Sequence, residues 1–267
     1  MLANERYNII LEILKNRRSV AVSELTQRFG VSIETIRRDL ATLERKGLLE
    51  RVHGGAVSIS DQMRGMTSLH ERLTENQDLK RELSLKAAEL ICENDVIAVD
   101  AGSTAIEFAK VLCEKFERLN IITYSRDVID IISEKPNFKL TTTGGEYLAA
   151  ERVFHGFLAI ESLKKLHVSK SFLFPSAIST RYGITINTGE FYELHTALMS
   201  ISDTVFILAD SSKFETTSPI KVCEISSPNA IITDSKIDDM LLQLYVENGA
   251  KIYMGENKYL IQNDFQL

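Results

Sequence analysis

Residues 19–57 constrain this chain most. A short helical pattern, a glycine, a second helical pattern with a basic outer face, and a glycine-rich basic tail follow in that order. Just upstream, Tyr7, Ile10, Leu11 and Leu14 fall at i, i+3, i+4 and i+7, which predicts the apolar face of a first helix over 4–16. Ser23 is placed to cap a second helix that turns Leu25 and Phe29 inward. Gly30 ends it, since glycine accepts the left-handed backbone a helix stop often needs. Ser32 then caps a third helix whose inward stripe is Ile33, Ile36, Leu40 and Leu43. Residues 48–57 read as two short strands around a glycine turn.

The opposite face of the third helix carries Glu34, Arg38, Ala41 and Arg45, with Thr35, Arg37 and Thr42 beside it. Three helices, a glycine turn and a basic outward face predict a helix-turn-helix followed by a wing, a shape that enters the major groove of double-stranded DNA. Arg38 points most directly at base edges, where a bidentate guanine contact discriminates by ~1–3 kcal/mol. Ser32, Thr35 and Arg37 are better placed for phosphates, aided by the positive helix end. Arg51 and His53 would run along the backbone or minor groove as the wing. A plainer alternative stays open on the sequence alone. Glu34 and Arg38 are an i, i+4 pair that can bridge on a solvated helix, and a lone histidine is more often structural.

Charge is divided along the chain. Residues 1–60 hold 10 Lys/Arg against 7 Asp/Glu, while the whole chain has a formal charge of −6, so the remainder carries −9. A basic head on an acidic body fits a small DNA-reading module joined to a domain that does not bind DNA. Cys92, Cys113 and Cys223 are isolated, with no C-x-x-C spacing, which predicts neither a disulfide framework nor a zinc site. The charged opening residues lack a signal-peptide core, and no apolar run reaches the roughly 20 residues of a membrane helix. The expectation is a cytoplasmic protein with no membrane partner, no metal and no other cofactor.

From Asp78 onward, helical patterns alternate with short β-branched runs: 95–100, 120–123, 138–142, 171–174, 204–209, 230–233 and 251–253. Such alternation predicts an α/β domain with a mostly parallel sheet covered on both faces. Ligands of these sheets sit beyond the carboxyl ends of the strands. Four loops there are polar or glycine-bearing. They are Asp100-Ala101-Gly102-Ser103-Thr104, Thr123-Tyr124-Ser125-Arg126, Thr143-Gly144-Gly145-Glu146 and Asp210-Ser211-Ser212-Lys213-Phe214. Outward N–H groups, hydroxyls and one lysine suit a small anion. Each loop taken singly is equally well an ordinary turn.

Together, Val22-Ser23-Glu24-Leu25, Phe29-Gly30-Val31-Ser32, Glu34-Thr35-Ile36-Arg37-Arg38-Asp39-Leu40 and Arg51-Val52-His53-Gly54-Gly55-Ala56 resemble the DNA-binding domain of the DeoR family of bacterial sugar-metabolism repressors. The later half resembles that family's effector-sensing domain, which is similar to ribose-5-phosphate isomerase and glucosamine-6-phosphate deaminase. The likeness rests on Asp100-Ala101-Gly102-Ser103-Thr104, Ser125, Gly144-Gly145, Ala209-Asp210, Ser212-Lys213-Phe214 and Ile232-Thr233-Asp234-Ser235. It implies that Asp100, Gly102, Ser103, Thr104, Ser125, Gly144 and Lys213, with the adjoining Gly145, line a sugar-phosphate pocket. Two departures stand out. Pro175-Ser176-Ala177-Ile178 replaces the family's usual Gly-Ala-Asp-Gly loop, and Glu193 with His195 replaces an acidic residue followed by a lysine two positions on.

The expected domains are 1–57, a winged helix-turn-helix; 58–76, a linker; and 77–267, an effector-sensing domain. The leading expectation is a repressor of a sugar-metabolism operon, acting as a homodimer or homotetramer on operator DNA and modulated by a small-molecule effector, a sugar phosphate. The competing reading is a sugar-phosphate isomerase or deaminase with an accessory DNA domain, using Asp100, Glu193 and His195 as acid–base groups. A third is a binding module with no DNA target.

Overall fold

The computed structural model describes residues 2–17, 19–58, 67–255 and 259–260, so residues 59–66 of the expected 58–76 linker lie outside the described residues; its later part is not a plain connection but holds a capped helix over Leu69–Thr74. The first part of the chain forms α1 (Ala3–Arg17), β1 (Ser19–Ala21), α2 (Val22–Phe29), α3 (Ile33–Arg45), β2 (Glu50–Val52) and β3 (Gly55–Val57). Its core joins the expected apolar faces: Ile10, Leu14, Leu25, Ile36, Leu40 and Leu43 are buried together with Leu49. The strands make an antiparallel sheet of order β1-β3-β2. β1 is only three residues long, too short to leave a period in the sequence; it exists because Val20 pairs with Ala56 across from the wing.

Two local expectations are corrected. Ser23 does not cap α2, which starts one residue earlier with no side-chain cap. The N–H of Val22 donates instead to the carbonyl of Gly54 at 2.8 Å, so the wing satisfies the helix end. Ile33 is 51% exposed rather than inward, because it occupies the first position of α3, one turn before Ile36 meets the core. Gly30 takes a left-handed φ of 63° and stops α2 as expected, its N–H donating to Thr26 at 3.0 Å.

The rest of the chain is α/β. It runs through α4 (Leu69–Thr74), α5 (Gln77–Ala88), β4 (Val96–Val99), α6 (Ser103–Lys115), β5 (Asn120–Thr123), α7 (Arg126–Ile132) and β6 (Lys139–Thr142). A hairpin of β7 (Glu146–Leu148) and β8 (Val153–His155) precedes α8 (Phe157–Leu163) and β9 (Val168–Leu173). Then come β10 (Ala177–Ser179), β11 (Gly183–Ile186), α9 (Gly189–Ser200), β12 (Ser202–Leu208), β13 (Ile220–Cys223), β14 (Ala230–Ile232), α10 (Asp239–Glu247), β15 (Ile252–Tyr253) and β16 (Tyr259–Leu260).

The main sheet has the order β16-β15-β14-β12-β9-β4-β5-β6 and is parallel except at the β15–β16 pair. Both faces are covered. Ala98, Ile122, Leu173 and Ile207 face one core, while Ile97, Val99, Ile121, Phe172 and Phe206 face the other. That is why these strands read as unbroken apolar runs. The hairpin β7–β8 and the antiparallel sheet β10-β11-β13 are not in the sequence pattern. From β4 the chain moves outward to β5 and β6; from β9 it moves outward the other way to β12, β14 and β15. The reversal falls between β4 and β9, and the crevice beyond their carboxyl ends is the place such sheets bind ligands.

The wing also touches the second domain. α10 packs on β3, and a Cβ on Gly55 would lie 2.5 Å from Met240 Sδ and 2.3 Å from the Val20 carbonyl oxygen. Gly55 is therefore required for close approach, not for backbone freedom. Among the described residues no helix is long and apolar enough to cross a membrane.

Candidate nucleic-acid interface and ligand site

α3 presents its polar face as the sequence predicts. Ser32 accepts a hydrogen bond from the Thr35 N–H at 3.2 Å, and the two hydroxyls lie 2.9 Å apart. Arg37 and Arg38 are exposed. The ion pair of this face joins Glu34 to Arg37 at 3.1 Å, not to Arg38. Among the described residues Arg38 makes no side-chain ion pair; its carbonyl accepts from Thr42 Oγ1 at 2.9 Å. An exposed pair contributes only ~0.2–1 kcal/mol, so Glu34 restrains Arg37 little from turning to a phosphate. Arg51 on β2 is held by Glu44, which accepts from its backbone N–H at 3.0 Å. Arg37, Arg51, His53 and Gly54 line one open cleft together with Glu247 of α10. Arg38 is not part of that cleft.

At the carboxyl edge of the main sheet, Asp100 is fully buried. Its Oδ1 accepts from the Tyr124 hydroxyl, and its Oδ2 accepts from the Phe174 N–H at 2.9 Å. One carboxylate thus ties the ends of β4, β5 and β9 across the point of reversal. Burial, and then the neighbouring Asp100 charge, pushes the Tyr124 hydroxyl pKa well up, so it stays a proton donor. His195 on α9 is 1% exposed, with Nε2 2.9 Å from Asp100 Oδ2 but not aligned for a hydrogen bond. Neither of its ring nitrogens has an aligned partner.

Gly102 has φ +115°, a backbone conformation that favours glycine, and precedes α6 with no side-chain cap. The 13-residue helix therefore begins without a side-chain cap on its first N–H groups. Ser103 and Thr104 are buried on its first turn. Ser125 is also buried, but its hydroxyl accepts from the Val128 N–H at 3.4 Å and so caps α7. Gly144 lies in open space after β6. Gly145 (φ +126°) has a packing reason of its own, since a Cβ there would lie 2.3 Å from the His155 carbonyl oxygen. Lys213 is half-buried at the end of a short 3-10 turn that Asp210 caps, accepting from the Ser212 N–H at 3.0 Å.

The narrow recess beside Asp100 is walled mostly by residues that were not candidates from sequence, Ser176 of the Pro175-Ser176-Ala177-Ile178 loop excepted. The walls include Arg72 of α4, Glu151 of the β7–β8 turn, Ser176, and Asn187 and Thr188 ahead of α9. Arg72 donates from Nη2 to Glu151 and would stand 3.8 Å from a Cβ on Gly102. Among the described residues Arg72 Nε and Asn187 Oδ1 are buried without hydrogen-bond partners. The one signal available in sequence was the capping box of Ser68 and Glu71, which marks α4 as a helix. The acid–base trio of the enzyme reading is not assembled. Asp100 and His195 meet, whereas Glu193 is exposed and lines a separate groove with Phe157, Ile160 and Lys164.

A winged helix-turn-helix joined to an α/β domain with a polar crevice at its strand reversal defines a two-domain, DNA-binding transcriptional regulator. Residues 6–62 match the DeoR-like helix-turn-helix domain and residues 75–235 match the DeoR C terminal sensor domain. The chain belongs to the DeoR family. It is 36% identical over 244 residues to the L-fucose operon activator of Haemophilus influenzae, covering 91% of this chain and 96% of that one. It is 32% identical over 250 residues to a lactose phosphotransferase system repressor of Streptococcus mutans, covering 91% and 97%. A ribose 5-phosphate isomerase A from Methanocaldococcus jannaschii overlaps 52% of this chain and 55% of its own, with 18% identity and a TM-score of 0.38.

Proposed function

We propose that this regulator represses a sugar-metabolism operon from the cytoplasm, and that a sugar phosphate bound at the carboxyl edge of the sensor sheet modulates its hold on operator DNA. The observation that carries the reading is the crevice at the β4–β9 reversal. There, uncapped N–H groups of α6, the glycine-shaped loop before them and the unpartnered Arg72 Nε stand together, a set suited to an anion with a hydroxyl-bearing body. Asp100, Gly102, Ser103 and Thr104 would form the floor, with Ser125, Gly144, Gly145 and Lys213 on neighbouring loops. Ser32, Thr35, Arg37, Arg38, Arg51 and His53 would meet the DNA. Relatives named as an L-fucose operon activator and a lactose phosphotransferase system repressor support a role in sugar metabolism.

A homodimer or homotetramer would set two reading helices at half-site spacing, and an effector that favours another arrangement would lower affinity by roughly 5–150-fold, the usual range of coupling. The test is thermal denaturation of the full chain against a panel of pentose and hexose phosphates, followed by operator binding with each compound that stabilises it. A stabilising compound should also release DNA. A panel with no stabiliser, or stabilisers with no effect on DNA, would refute the reading.

A further inference from the structure

α4 is the first described helix after the segment leading out of the wing, and it crosses the candidate ligand site. Its Arg72 reaches over the Gly102 loop to Glu151. The Arg72 carbonyl accepts from Lys80 Nζ, a lysine that is only 3% exposed. Four residues on, Asn76 Nδ2 donates to Ser212 Oγ at 3.2 Å and reaches Asp210 Oδ1 at 3.4 Å. Residues 72–76 therefore form a strap from the Glu151 side of the crevice to the loop after β12.

The strap is fastened by half of a fork. Nε and Nη2 form one edge of the guanidinium, the edge that grips an oxyanion by two parallel hydrogen bonds. Glu151 takes Nη2 alone, and Nε remains buried with no hydrogen-bond partner. Around it, His195 Nδ1, itself nine-tenths buried and more, and Asn187 Oδ1 are also without hydrogen-bond partners among the described residues. Buried polar atoms without partners are costly, and the recess they share, about 20 Å³, has room for one water-sized group, so an anion enters it only as Glu151 moves away. A phosphate group gripped by Nε and Nη2 would share Nη2 with the Glu151 carboxylate, and the repulsion of like charges on one nitrogen favours departure of Glu151.

We infer that Arg72 is the effector's anion ligand and that Glu151 is the resident anion it leaves. The exchange rests on the reading of this crevice as the effector site. It adds a means of transmission, because Arg72 stands on the helix to which the DNA-binding half is tethered. Moving Arg72 from Glu151 to the ligand resets the strap.

The test uses full-length protein and inorganic phosphate as the probe, with affinity read by calorimetry and operator release read by anisotropy. Wild type should bind phosphate. Glu151→Gln should bind it at least fivefold more tightly and release operator at correspondingly lower phosphate. Arg72→Met should bind it at least tenfold more weakly, and Arg72→Lys, which keeps charge but loses the fork, should fall between. The Glu151 variant moves in the direction opposite to damage, so a poorly folded Arg72→Met leaves the test intact. Wild-type binding with Glu151→Gln and Arg72→Lys both within twofold of it overturns the exchange and leaves the crevice reading standing. No phosphate binding by wild type, together with no response to any sugar phosphate, overturns both.

Discussion

Arg6 and Asp39 meet through two hydrogen bonds, Nε to Oδ2 at 2.6 Å and Nη2 to Oδ1 at 3.0 Å. Both side chains are nearly buried, so this fork pins α1 to the reading helix α3 one residue from Arg38. The hydrogen bond to Asp39, ahead of its charge, raises the Arg6 pKa further, and the pair is fixed as an ion pair. Removing Arg6 leaves the buried Asp39 carboxylate without its fork. Arg6→Met should cost about 3–5 kcal/mol of the DNA-binding domain's stability in urea unfolding, whereas the double replacement Arg6→Met, Asp39→Leu should cost much less. Equal losses for both variants would refute a paired role.

The reading face separates into two kinds of contact. Arg38→Ala should lose about 1–3 kcal/mol on the preferred operator and flatten discrimination among base substitutions. Arg37→Ala should weaken all sequences alike and reduce the salt slope by about one. Competition binding over a set of operator variants at two salt concentrations distinguishes them, and identical behaviour of the two would contradict the assignment.

Gly55 is a steric key between wing and sensor. A Cβ there meets a backbone carbonyl at 2.3 Å, which cannot turn aside as a side chain would. Gly55→Ala should cost about 1–3 kcal/mol by overpacking and weaken DNA binding. Gly189→Ala, at a position with nothing within 4 Å, should stay within about 0.5 kcal/mol of wild type in the same denaturation experiment.

Glu215 couples buried groups of the sensor near the wing. Its Oε1 accepts from the Tyr245 hydroxyl at 2.8 Å and from the Thr180 N–H at 3.1 Å. Burial, the largest influence, raises its pKa above the ordinary 4.5 despite those bonds, and Glu50 of β2 adds to the rise. A carboxyl raised in the folded state contributes fully below the ordinary value and loses that contribution as pH climbs through the raised one. Thermal stability should therefore decline on this account from just above pH 4.5 upward. Glu215→Gln keeps a carbonyl acceptor and should remove that part of the decline. A melting-temperature profile unchanged by the substitution would refute the coupling.

Ser103→Asp puts a carboxylate at the start of α6, where the helix dipole favours it, so the fold should hold. The same charge should repel an anionic effector and weaken the response at least tenfold, about 1.4 kcal/mol, in phosphate titrations.

Local rules made much of this molecule legible. The apolar stripes of α1 and α3, the Gly30 stop and the Ser32 cap follow from residue spacing alone, because helix period and cap chemistry act within a turn. The buried runs of β4, β5, β9, β12 and β14 were equally plain. Ser23 was misread because the wing, distant in sequence, supplies the carbonyl that replaces its cap. β1, the β7–β8 hairpin and the sheet β10-β11-β13 were missed because their short strands are specified by partners and not by period.

What the sequence determined by itself is a DNA-reading head and an α/β body with polar loops at the strand ends, since period, glycine placement and charge distribution are properties of adjacent residues. Tertiary structure decided which atoms converge. Strand order put Asp100 against Phe174 and His195, and the path of α4 put Arg72 beside Gly102 and Glu151, residues 30 and 79 positions away. Such meetings depend on how distant segments pack, and nothing in the spacing of neighbours encodes them.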